Sequence, residues 1–123
     1  MTDNDKITVI LNSIRKYFMN KFKICSSDIS IENKYLVLTI VSEQGLSYQF
    51  LNYDNNDIKF EHWLKNFIDR FNNEIRFQLQ YASMNDSFKL LQIFINDNAN
   101  LDSIIGLLKL DGILDVSTKS WFI

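Results

Sequence analysis

The chain reads as an α+β fold on two observations. Between residues 46 and 122, alternating and helical hydrophobic periods follow one another as strand, helix, strand, strand, helix, strand. Ahead of them lie one long amphipathic stretch and a pair of β-branched runs. With 46% hydrophobic residues, ten Phe, five Tyr and two Trp in 123 residues, there is ample material for one core. A chain of this length buries roughly two thirds of its unfolded surface, which predicts a single domain over 1–123.

Each element has its own signal. Ile7, Ile10, Leu11, Ile14, Phe18 and Phe22 recur at spacings of three and four, predicting a helix over 5–23. Ile29 and Ile31 alternate with Ser30 and Glu32, Asn33 and Lys34 can turn the chain, and 35–42 reads as a longer β-branched strand. Gln44 and Gly45 turn into a third strand, 46–53, where Leu46, Tyr48 and Phe50 alternate with Ser47 and Gln49.

Asp57 is placed to cap a second helix, in which Phe60, Trp63, Leu64, Phe67, Ile68 and Phe71 form a regular stripe and Asn72 and Asn73 close it. Ile75, Phe77, Leu79 and Tyr81 alternate with Arg76, Gln78 and Gln80, so this strand has one dry and one wet face. After a turn at 83–86, residues 88–95 read as a more buried strand. Asn100 can cap a short helix carrying Leu101, Ile104, Ile105 and Leu108, and Asp111-Gly112 turns into a last strand, 113–122.

The resulting order, α-βββ-α-ββ-α-β, predicts a ferredoxin-like split βαβ core with an N-terminal helix and extra strands. The strand 46–53 is then central, with both edges taken, so the strand 35–42 has no edge to pair with. Either that hairpin lies outside the sheet, or three strands form a meander followed by a separate hairpin.

Charge and cysteine content narrow the function classes. A net charge of −2 and a pI near 5.3 provide no positive field for phosphate backbones, so nucleic acid is not expected as a partner. No apolar run approaches the length of a membrane span, so no membrane association is expected. The lone Cys25 cannot form an intramolecular disulfide, and the N-terminus has neither the basic start nor the apolar run of a secretory signal, which predicts a cytoplasmic protein. Abundant Asn, Ile, Lys and Phe suggest an A- and T-rich genome, such as that of a bacterium or phage.

No residue pattern carries chemistry. His62 is the only histidine, and Asp69, seven residues on, is separated from it by about 10.5 Å of helix rise, too far to share a metal. Glu61, Lys65 and Asp69 have the spacing of solvated helix pairs. Cys25 follows the negative end of the first helix, which disfavours a thiolate and predicts a small buried or half-buried thiol.

The clusters Asp54-Asn55-Asn56-Asp57 and Asn96-Asp97-Asn98-Ala99-Asn100 offer oxygen ligands. They lack EF-hand spacing, and each precedes a helix, where Asp and Asn serve as caps. The isolated glycines Gly45, Gly106 and Gly112 make no phosphate loop. Arg15, Lys16, Lys21 and Lys23 make the first helix basic towards its end, where cations complement the helix dipole. No catalytic residue, cofactor or metal is therefore expected.

The stretch 88–118, with its run LLKLDGILDV, looks like the closing βαβ unit of ACT-like regulatory domains. That resemblance implies small-molecule binding at a dimer interface. The order of elements also resembles class I type III secretion chaperones, small acidic dimers, which implies a protein-holding role. Architecture alone does not decide between them. The leading expectation is a small non-catalytic protein-binding module of the inhibitor or toxin-immunity type, with the chaperone-like and ACT-like readings as alternatives and an enzyme with scattered site residues as a third class. Its partner is another protein, preferably basic, and a homodimer is compatible with the pattern. The candidate partner-binding residues are Asp54 and Asp57, Asp97, and the apolar C-terminal Trp121 and Phe122, the acidic loops attracting a basic partner and the tip offering apolar surface.

Overall fold

Thr2 opens the first helix with a capping box. Its hydroxyl accepts from the Asp5 N–H at 3.1 Å, while the Asp5 carboxylate accepts from the Thr2 N–H at 3.2 Å. In the computed structural model, which describes residues 2–41, 56–81 and 88–114, this helix (α1) spans Asp3–Lys21. It begins and ends two residues before the predicted range, and Phe22, at the C-cap, remains buried.

The strands β1 (Ile24–Ser30) and β2 (Tyr35–Val41) follow, then α2 (Asn56–Asp69), β3 (Ile75–Tyr81), β4 (Phe88–Ile95) and α3 (Leu101–Leu110). The described residues thus form an α+β fold of three helices and a four-stranded antiparallel sheet, ordered β1-β2-β4-β3. The Asn33-Lys34 turn joins β1 to β2 with Lys34 at φ 59°, and Asn72 and Asn73 stop the chain after α2 at φ 54° and 65°. These are left-handed conformations that Asn tolerates better than most residues.

The sheet corrects the predicted strand order. The position beside β4 that the sequence reading gave to 46–53 is held by Tyr35–Val41, paired in register from Tyr35↔Phe94 to Val41↔Phe88. Tyr35–Val41 therefore does not lie outside the sheet. Residues 46–53, the turn 83–86 and 115–122 of the last predicted strand lie outside the described residues, and Ile113 and Leu114 form a bend.

All three helices cover one face. Leu36, Leu38 and Ile40 of β2 and Leu91, Ile93 and Ile95 of β4 are buried together with Ile7, Ile10, Leu11, Ile14 and Phe18 of α1, Leu64, Phe67 and Ile68 of α2, Phe71 in the turn after it, and Ile104, Ile105 and Leu108 of α3. Six aromatic rings join the end of α1 to α2. Tyr17, Trp63 and Phe67 lie parallel within 12°, and Phe18, Phe22 and Phe71 pack edge-on around them at 5.3–5.7 Å. Such offset and edge contacts follow from the ring quadrupole. With the described helices on one side, no described helix lies on the other side of the sheet.

Candidate interaction surface

The pleat sends alternate residues of each strand to the face away from the helices. The register arranges them in rows across the sheet. Ser30, Tyr35, Phe94 and Arg76 form one row; Asp28, Val37, Gln92 and Gln78 the next; Ser26, Thr39, Leu90 and Gln80 the third. The two central strands thus contribute Tyr35, Val37, Leu90 and Phe94 together with Thr39 and Gln92, while the outer strands contribute serines, glutamines and one charge each, Asp28 on β1 and Arg76 on β3.

Contacts within the first row are specific. The Tyr35 and Phe94 rings meet edge to face at 5.9 Å, and the Arg76 guanidinium lies 4.3 Å from the Phe94 centroid. Its Nε donates to Asn96 Oδ1 at 3.0 Å, leaving the terminal nitrogens on an exposed side chain. In the third row Ser26 Oγ donates to Thr39 Oγ1 at 3.0 Å. Central side chains on this face are half-buried, and Val41, at the far end of β2, is buried outright.

Of the partner-binding residues singled out from sequence, only the positions of Asp57 and Asp97 are described, and neither belongs to a strand of this face. Asp54, Trp121 and Phe122 lie outside the described residues. Asp57 is not the cap of α2: the helix starts at Asn56, so Asp57 sits in its first turn. Asp97 is 99% exposed beside the β1–β2 turn, its Oδ1 4.0 Å from Lys34 Nζ. That contact is weak in water.

The loop around Asp97 is structural. The Asn96 amide donates to the Asn73 carbonyl, the Asn96 N–H to the Glu74 carbonyl at 2.9 Å, and the Asn100 N–H to Glu74 Oε1 at 2.9 Å. Asn100 Oδ1 accepts from the Ser103 N–H at 3.0 Å, capping α3 as its sequence position predicts.

His62 is exposed on α2, as are Glu61, Lys65 and Asp69. Cys25 is exposed, contrary to the expected buried or half-buried thiol. It stands where the β1–β2 register shifts between Ile24 and Ser26, so the bulge turns it outward, and its thiol donates to the Thr39 carbonyl at 3.5 Å. Among the described residues no three His, Cys, Asp or Glu side chains group to hold a metal, and no helix is long and apolar enough to cross a membrane.

Two features escaped sequence reading. One is the Tyr35–Phe94–Arg76 row, which requires the β2–β4 register. The other is Lys89, 1% exposed and in line with Leu91, Ile93 and Ile95 on the helix-covered side. The available signal was that 88–95 is apolar on both parities, so a lysine within it must share a face with buried residues. The chain matches no protein-family model, no curated protein and no solved structure.

Proposed function

We propose that the protein is a small non-catalytic protein-binding module, of the inhibitor or toxin-immunity type, acting in the cytoplasm through the helix-free face of its sheet. The observation that carries this reading is the distribution of side chains on that face. An uncharged centre, apolar or aromatic at Tyr35, Val37, Leu90 and Phe94 and polar at Thr39 and Gln92, is bordered by Ser, Gln and single charges. Protein interfaces have this anatomy, a poorly charged centre enriched in aromatic residues and Arg within a polar rim. An ordinary solvated sheet face would alternate hydrophobic-in with polar-out.

The same reading assigns the sheet to the ferredoxin-like class. What supports it is that β2 and β3 run in the same direction on either side of antiparallel β4, with α2 between them in sequence. The outer position beside β2 is taken by β1.

Val37→Glu tests the function by placing a charge at the centre of the face without touching the core. With circular dichroism and melting temperature unchanged, the variant is expected to lose association with any protein the wild type binds, itself included. His62→Ala, on the helix side, is expected to keep it. Equal binding by wild type and Val37→Glu would refute the reading.

A further inference from the structure

We infer that the helix-free sheet face binds a second copy of this chain, in a face-to-face dimer whose two-fold axis runs along the strands. This rests on the reading of that face as a protein-docking surface and names its occupant.

The charges on the face carry the choice. Among its described residues it presents one anion and one cation, Asp28 on β1 and Arg76 on β3, at opposite edges of the four-stranded sheet. A two-fold axis parallel to the strands exchanges left and right across the sheet and keeps height along the strand. It therefore lays β1 over β3 of the second copy and β2 over β4, twice by symmetry. Asp28 then faces the edge bearing the second copy's Arg76, one row away. A row is two residues, about 7 Å along a strand, within reach of an arginine side chain.

The same operation sets Tyr35 of β2 against Phe94 of the second copy's β4, ring on ring, with Val37 against Gln92 and Leu90 against Thr39, so that no charge enters the centre. On the outer strands Gln80 meets Ser26, Gln78 meets Asp28 and Arg76 meets Ser30. An axis perpendicular to the strands would instead stack Asp28 near Asp28 and Arg76 near Arg76, which like-charge repulsion opposes. The pattern is thus complementary to itself in one of the two symmetric orientations. Face-to-face sheets pack about 10 Å apart with strands within about 30° of alignment, compatible with this pairing.

Sedimentation of the full chain with charge-swapped variants tests the inference. Wild type is expected to move from one to two chain masses of 14.5 kDa between micromolar and millimolar concentration. Asp28→Arg and Arg76→Asp should each raise the dimer dissociation constant about tenfold or more, since each turns two attractive pairs into repulsive ones. Mixing the two variants should restore dimers, because every cross-pair is then Arg against Asp. The double variant D28R/R76D should dimerise like wild type.

Should Arg76→Asp disturb the fold by circular dichroism, the comparison of Asp28→Arg with Asp28→Asn replaces it, and reversal must weaken the dimer more than neutralisation does. A wild type that stays monomeric at millimolar concentration overturns the second copy as occupant. So do single variants that dimerise like wild type, or a mixture that fails to recover. If a monomeric wild type captures another protein and Val37→Glu abolishes that capture, the docking face stands and only its occupant is wrong. Indifference of both self-association and capture to Val37→Glu refutes the docking face itself.

Discussion

Truncating Phe67 tests the packing of the helices against one face of the sheet. The ring is 2% exposed and has neighbours on every side, with centroids of Tyr17, Phe18, Trp63 and Phe71 all within 5.7 Å. Phe→Ala in a core costs about 3–5 kcal/mol, more where the surroundings cannot collapse into the cavity. Four ring neighbours held by α1, α2 and the turn after α2 leave little room to collapse, so about 4 kcal/mol is expected. At about 2.1 cal/mol/K per residue, the unfolding entropy of 123 residues is about 0.26 kcal/mol/K, and the melting temperature should fall by about 15 °C. Calorimetry or urea denaturation followed by tryptophan fluorescence reads the effect. Phe67→Leu, which keeps most of the volume, should lose under about 1.5 kcal/mol, and exposed His62→Ala on the same helix should stay within about 0.5 kcal/mol of wild type. A Phe67→Ala midpoint equal to that of wild type would show that α2 does not pack as described.

Two glycines should respond with opposite signs. Gly106 lies inside α3 with open space around an added Cβ, so Gly106→Ala should raise stability by about 0.8–1.0 kcal/mol in thermal denaturation, and a loss would contradict the helix there. Gly112 has φ +74°, so Gly112→Ala should lower stability by about 1 kcal/mol although nothing blocks the methyl group, and a gain would contradict the left-handed turn. The exposed Cys25 thiol should react stoichiometrically with a thiol reagent in the native protein, with no signal from Cys25→Ser. Reaction only after denaturant is added would return Cys25 to the interior.

Much of the fold was legible because local chemistry agreed with the tertiary arrangement. The bounds of β3, β4 and α3 fall on the alternating and helical stripes, and the stops are where Asn72, Asn73 and Gly112 reach positive φ. The partner of 35–41 was not legible, since antiparallel pairing with Phe88–Ile95 is a contact between distant segments that periodicity does not encode. Runs such as Leu36-Val37-Leu38 and Leu90-Leu91 are apolar on both parities. They signal a strand wanted on two faces without saying what the second face meets. That ambiguity hid the Tyr35–Phe94–Arg76 row. Asp57 was misread as the cap because Asp54-Asn55-Asn56-Asp57 offers capping chemistry at four successive positions whereas the helix already includes Asn56, and Cys25 was misread because a bulge shifts the parity of β1.

The most direct measurement is two-dimensional NMR of the wild-type chain at increasing concentration, which reports residue by residue where association occurs. Signals of Asp28, Tyr35, Val37, Leu90, Gln92 and Phe94 are expected to shift or broaden together, while those of His62, Lys65 and Asp69 on the exposed side of α2 stay fixed. Shifts confined to the helix side, or a spectrum that does not change with concentration up to the millimolar range, would contradict the self-complementary sheet face.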